Sequence, residues 1–173
     1  MHKTIEPSIL YFGTPVVVVS TLNEDESTNI APMSSAWWLG WSCMLGLDAT
    51  SKTTANLRRT GECVLNLAAD RNVGAVNDLA LLTGSASLPP HKKALGYRSS
   101  AGKFEEAGLT RQASELVRPD GIREFPVRLE ATVQNIYDFA TNDPRMAIRS
   151  CAVEVTIHRV HAEDGLLDKE HPQ

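Results

Sequence analysis

The stretch Leu47-Asp-Ala-Thr-Ser-Lys-Thr-Thr-Ala-Asn56 gathers four hydroxyls, on Thr50, Ser51, Thr53 and Thr54, around the ammonium of Lys52. A strand-like run precedes it and a helical run follows it, so the cluster sits at a strand-to-helix turn. The first turn of a helix leaves backbone N–H groups unpaired and carries partial positive charge, which makes it a ready phosphate site. Lys52 there opposes the helix dipole, and an anion lying between them reverses the sign of that interaction. The plain alternative is a Ser/Thr-rich cap beside one solvated lysine, at a cost of about a few tenths of a kcal/mol. Neither a GxGxxG nor a GxxxxGK[ST] pattern is present, which excludes the dinucleotide-fold and P-loop readings.

A second stretch, Asn29-Ile-Ala-Pro-Met-Ser-Ser35, leads into Trp37, Trp38 and Trp41. A proline inside a strand breaks the ladder and marks an edge or a bulge, and bulges at barrel rims turn backbone groups toward ligands. Ser34 and Ser35 offer small hydroxyls beside exposed main chain, an arrangement that suits a polar planar ring. The tryptophans either flank such a ring or build a core or a subunit interface.

The elements that would carry these residues are mostly strands. Pro15-Val-Val-Val-Val-Ser-Thr21 is a β-branched run expected to be buried on both faces. The chain returns through 29–38 and again through 43–48, as a meander punctuated by Gly40. Residues 51–60 read as a helix capped by Ser51 and stopped by Gly61, with a short strand at 63–67 after it. Asp70 is placed to cap a second helix to about Leu82, with Val73, Val76, Leu79 and Ala80 on one face. Residues 83–120 are rich in Gly, Ser, Pro and charge, too long for a plain connection and so expected to be functional or disordered. Phe125 to Val133 and Cys151 to Ile157 alternate apolar and polar as half-buried strands, with 137–145 as their connection. Many antiparallel strands and few helices, a mainly β (α+β) pattern, point to a closed or nearly closed barrel.

The chain has 173 residues, enough for one domain with a core, so residues 1–173 are read as a single domain. A net charge of −4 argues against nucleic acid as a partner. No apolar run reaches the length of a membrane helix, and the start shows no signal-peptide pattern. Cys43, Cys63 and Cys151 are odd in number and widely spaced, which fits a reducing, cytoplasmic setting and no zinc knuckle. The five histidines, His2, His91, His158, His161 and His171, show no ligand pattern except for the 158/161 pair. That pair falls on opposite faces of a strand, so no metal site is expected, and a haem- or metal-binding barrel is the weakest of the readings.

Taken in order, several segments resemble the flavin reductase-like branch of the FMN-binding split-barrel proteins. They are the strand at 15–20, Asn29-x-Ala-Pro-x-Ser34, Lys52-Thr-Thr-x-Asn-Leu57 and Thr60-Gly-Glu-Cys-Val-Leu-Asn-Leu67. Lys103-Phe-Glu-x-Ala-Gly-Leu-Thr110, Pro126-Val-Arg-Leu-Glu130 and the strand at 151–160 complete the series. The resemblance implies an antiparallel split β-barrel that binds FMN, or FAD in its place, and works as a homodimer. It places the flavin phosphate on Thr50, Ser51, Lys52, Thr53 and Thr54, and the ribityl chain and ring edge along Met33, Ser34 and Ser35. Lys103 would reach flavin or substrate across the site. The implied activity is an NADH- or NADPH-dependent flavin reductase that passes reduced flavin to an acceptor such as a partner monooxygenase. A non-catalytic FMN-binding or electron-transfer protein is the alternative, and no catalytic side chain is implied. Ser35-Ala36 stands where many relatives carry larger residues, so the site is expected to be more open, or refilled by Trp37 or Trp38. Relatives often continue past the acidic region at 164–168, and such a tail would bear on dimer contacts and site closure.

Overall fold

The computed structural model describes residues 2–6, 10, 13–88, 90–146 and 148–167. His171 and the residues beyond Leu167 lie outside the described residues. The β-branched run forms β1 (Val17–Leu22), with all six residues buried. A turn held by Asp25, whose carboxylate accepts from the Ser27 amide and hydroxyl, returns the chain as β2 (Thr28–Met33). β3 (Ala36–Leu39) and β4 (Ser42–Asp48) form a second hairpin, turned at Gly40 in the left-handed region that glycine adopts freely. Helix α1 (Lys52–Thr60) begins at Ser51, whose hydroxyl accepts from the Thr54 amide, and ends at Gly61, whose N–H donates to the Leu57 carbonyl. These are the caps expected from the sequence. β5 (Glu62–Leu67) follows.

The segment after β5 departs from the expected single helix. A 3-10 turn at Asp70–Asn72 leads into α2 (Val73–Leu79), which ends before Leu82. Leu82 and Thr83 instead form β6, which pairs in parallel with β7 (Arg98–Ser99), the strand that follows α3 (Pro90–Ala94) in the chain. Their backbone groups are therefore committed to a ladder that a helix could not make. Val73 and Ala80 face outward, whereas Leu79 and Leu82 are buried. The rest of the long middle carries α4 (Lys103–Glu106), β8 (Arg111–Gln112) and β9 (Gly121–Ile122). Two long strands close the chain, β10 (Val127–Phe139) and β11 (Ser150–Ala162). β10 runs through Tyr137 to Phe139, which pair with Ala152 to Ser150, so the connection between the strands is shorter than the sequence pattern suggests.

The main sheet has the order β2-β1-β5-β10-β11-β4-β3, and every pairing in it is antiparallel. This is not a simple meander, because β2 and β3, joined only by Ser34 and Ser35, lie at opposite edges. Three Cα steps reach at most about 11 Å, so the two edges must approach one another and the sheet must roll into a barrel. The barrel is split where Ser34 and Ser35 cross. There the Gly46 amide donates to the Ser35 carbonyl at 2.7 Å.

Alternation along β1 explains why it is buried on both faces. Val17 and Val19 join Leu45, Leu65, Ala131 and Val153 inside the barrel. Val18 points the other way, into a second cluster with Ile30, Leu79, Phe104, Ile122 and Phe125. The second cluster lies under α2 and α4, so the middle segment is a packed layer on the outside of the barrel. The three cysteines belong to the inner core, and burial pushes the Cys43 and Cys63 thiols up to about 12. Among the described residues no helix is long and apolar enough to cross a membrane.

Candidate functional site at the barrel split

A cleft of about 440 Å³ opens at the split, within the usual size range of cofactor sites. One wall is the β2 edge with Met33, Ser34 and Ser35, and Gly46 lies opposite Ser35. A Cβ on Gly46 would meet the Ser35 Cβ at 2.9 Å, so glycine lets β4 approach the crossing point. A second wall is the start of α1, with Ser51, Lys52 and Thr53. The amides of Lys52 and Thr53 stand in the first helical turn, where no intrahelical acceptor exists.

The hydroxyl cluster divides by role. Ser51, Thr53 and Lys52 line the cleft, whereas Thr50 and Thr54 do not. The Asp48 carboxylate accepts from the Thr50 amide at 2.8 Å and from its hydroxyl at 2.7 Å, a local turn that leads the strand into the helix. Thr54 is buried, and its hydroxyl donates to the Asp48 carbonyl at 2.8 Å. Both threonines hold the shape of the turn. Burial pushes the Asp48 carboxyl up, but the Thr50 hydroxyl and amide and the charge of Lys92 outweigh it and hold it below its ordinary value.

Three lysines reach the cleft, each differently partnered. Lys52 is ion-paired with Glu24 from the β1–β2 turn. Lys92, on α3, pairs with Asp48 at 3.2 Å. Lys103, the first residue of α4, is only 4% exposed, and its Nζ donates to the Ile30 carbonyl at 2.8 Å. Burial, helped by the charge of Lys92, lowers the Lys103 ammonium to about 8.

Beside Lys103 and Lys52 lies Asn29, 4% exposed, whose Nδ2 has no hydrogen-bond partner among the described residues. Gly84 makes room for it, since a Cβ there would meet Asn29 Oδ1 at 2.5 Å and Lys52 Cγ at 3.1 Å. Asn29, Lys52, Gly84 and Lys103 also border a smaller cavity of about 280 Å³, whose rim includes Glu24 and Asp25. An orphaned amide, a cradle that a side chain would fill and a buried cation together fit an acceptor-rich ligand such as a phosphate-bearing cofactor.

Seven of the residues singled out from the sequence, Met33, Ser34, Ser35, Ser51, Lys52, Thr53 and Lys103, thus line one cleft. Asn29, Gly84 and Lys92 join them without having been singled out. Asn29 stands inside the quoted Asn29-x-Ala-Pro-x-Ser34 motif, and that was its only signal. Trp37 and Trp38 do not refill the space beside Ser35: Trp37 is more than half exposed and Trp38 packs against the barrel core. His158 and His161 are engaged separately, with Thr132 and with Glu130.

Comparison with known proteins agrees with this fold. Residues 9–170 match the flavin reductase like domain. An uncharacterized protein of Bacillus subtilis, YdfE, is 39% identical over 170 residues, covering 98% of this chain and 80% of its own length. Among solved structures, flavoredoxin of Desulfovibrio vulgaris superposes with a TM-score of 0.78 at 18% identity, over 100% of this chain and 83% of its own. Nitrilotriacetate monooxygenase component B from Bacillus cereus gives 0.74 at 19% identity, over 99% and 87%. Those two likenesses carry the fold. With its domain matched over nearly the whole length, the chain belongs to the flavin reductase-like domain family.

Proposed function

We propose that the chain, residues 1–173 as one domain, binds FMN (or FAD in its place) in the cleft at the barrel split and reduces it with NADH or NADPH. The observation that carries this is the meeting, in one cleft, of the β2 edge, the first turn of α1 and three lysines. Met33, Ser34 and Ser35 would follow the ribityl chain and ring edge. Ser51, Lys52, Thr53 and Lys103 would hold the phosphate end, with Thr50 and Thr54 shaping the turn. A bound flavin supplies the hydride-accepting chemistry. The chain's own residues bind it, orient it and leave the β2 edge open to a nicotinamide, whose reacting carbon must come within about 3–3.5 Å of its target. Reduced flavin or its electrons would pass to an acceptor such as a partner monooxygenase, the role that the component B name suggests. The working form is a cytoplasmic homodimer, and the edge strand β3 with its following turn supports it by exposing Trp37, Leu39 and Trp41.

The absorption spectrum of the purified protein, followed by NADH and NADPH oxidation with added FMN, tests this reading. Flavin bands with multiple turnovers are expected. Tight FMN binding with negligible turnover would replace the reductase by an electron carrier, and a Soret band would overturn both. Light scattering should give about twice the chain mass of 18.9 kDa, and the monomer mass at micromolar concentration would overturn the dimer.

A further inference from the structure

We propose that Lys103 and Asn29 are the pair that grips the anionic, phosphate-class group of the ligand, and that Glu24 holds the ammonium of Lys52 as a built-in stand-in for that anion. Identifying the anion as the flavin phosphate rests on the function proposed above; the anion site itself does not.

The argument is an account of partners. Of the three cleft lysines, Lys52 has the Glu24 carboxylate and Lys92 has the Asp48 carboxylate. Among the described residues Lys103 has one neutral acceptor, the Ile30 carbonyl, although an ammonium carries three donors. The charged groups packed around it do not neutralise it. Lys92 from α3 is a like charge, Glu24 and Asp25 of the β1–β2 turn are engaged with Lys52 and Ser27, and Lys52 from α1 is a cation. On its own helix, Glu105 is held by Arg111, and Glu106 by Ser100 and Arg98. A buried cation without a counter-ion is unfavourable, and it is resolved either by loss of the proton or by arrival of an anion.

Asn29 points to the second outcome. Its buried Nδ2 also lacks an acceptor among the described residues, and it lines the same two cavities as Lys103. Its backbone neighbour Ile30 already receives the Lys103 Nζ. With the free amides at the start of α1, the wall offers donors in several directions, which calls for a ligand made of acceptors. A phosphate is such a group. Lys52 contributes less than its position suggests, because an anion must first displace Glu24.

A proton count follows. With its ammonium lowered to about 8, Lys103 is partly neutral in the free protein at and above that pH, and an anion restores the charge. Anion binding above pH about 8 therefore takes up a proton.

The test uses the full chain freed of ligand, with inorganic phosphate, FMN and riboflavin as probes in titration calorimetry, the fold of each variant being verified by circular dichroism. Lys103→Met should weaken FMN and phosphate by about tenfold or more, leave riboflavin unchanged and abolish the proton uptake seen between buffers of different ionisation enthalpy. Asn29→Leu, an independent variant, should show the same phosphate-dependent loss. Lys52→Met should cost less than Lys103→Met, and Glu24→Gln should tighten FMN. FMN binding that is strong in the wild type and unchanged in Lys103→Met and Asn29→Leu would overturn the inference and leave the flavin reading standing. Phosphate binding that depends on Lys103, with no FMN binding in the wild type, would do the reverse.

Discussion

Two regions of the molecule bury the same chemistry under opposite conditions. Outside the cleft, Glu130 is 1% exposed, and its carboxylate accepts from the amides of Glu115, Leu116 and Val117 at 2.9, 2.6 and 3.2 Å. His161 Nε2 lies 2.7 Å from the same group. At the cleft, Lys103 is nearly as buried and has one neutral partner. The amides repeat the contrast. Asn66, fully buried, donates to the Val18 carbonyl and the Ser20 hydroxyl and accepts from the Ile122 amide, while Asn29 Nδ2 has no partner among the described residues. Glu130 and Asn66 pin the long middle segment to the barrel, and their hydrogen bonds are complete because the fold needs nothing else there. Lys103 and Asn29 are left incomplete where a ligand would finish them. Burial alone thus says little about a polar residue's role; the number of partners separates a brace from a binding group.

The largest effect is expected at Glu130. Glu130→Leu strips one carboxylate from three amides and a histidine and should cost about 3–5 kcal/mol in urea unfolding. A loss under about 1 kcal/mol would show that the 115–117 loop is held by other contacts. The pH profile of the ligand-free protein should carry both charges with opposite signs. Burial pushes the Glu130 carboxyl up, but its amide and His161 partners hold it below its ordinary 4.5, so its contribution is present above that pH and is lost as pH falls below it. Lys103 is lowered from 10.5 to about 8, so the unfolded chain binds the extra proton between those values and stability should rise with pH across that window. In Lys103→Met the alkaline rise should flatten while the acid limb remains.

Asn66→Leu comes next, at about 2–3 kcal/mol, because it leaves the Ile122 amide and the Val18 carbonyl without the side-chain partner. Gly84→Ala should cost about 1–3 kcal/mol through its close approach to Asn29, and should also weaken FMN by displacing the orphaned amide. The smallest change is expected for Asn29→Leu, within about 0.5 kcal/mol of the ligand-free wild type, since Nδ2 donates no hydrogen bond among the described residues. A loss equal to that of Asn66→Leu would erase the distinction between the two regions.

Much of the frame could be read from sequence because it is local. β-branched runs and period-two alternation marked β1, β10 and β11, and Ser51 and Gly61 marked the ends of α1 through bonds to residues three or four positions away. The ordered motifs carried the family. The stretch from Asp70 to Leu82 departs from the single helix its pattern suggests because β6 is made by pairing with Arg98 and Ser99, partners that no local pattern announces. The site divides in the same way. Its hydroxyls and Lys52 stood out by spacing, and Ser34 and Ser35 by the proline before them. The split itself required the sheet order, since only rolling brings the edges carrying β2 and β3 together. Which lysine is already neutralised depended on Glu24, 28 positions from Lys52, and which is not depended on Ile30, 73 positions from Lys103. Residue type and short-range periodicity determined the elements and the kind of chemistry available. Whether each polar group is satisfied is a property of packing between distant segments, so only the tertiary structure decided it.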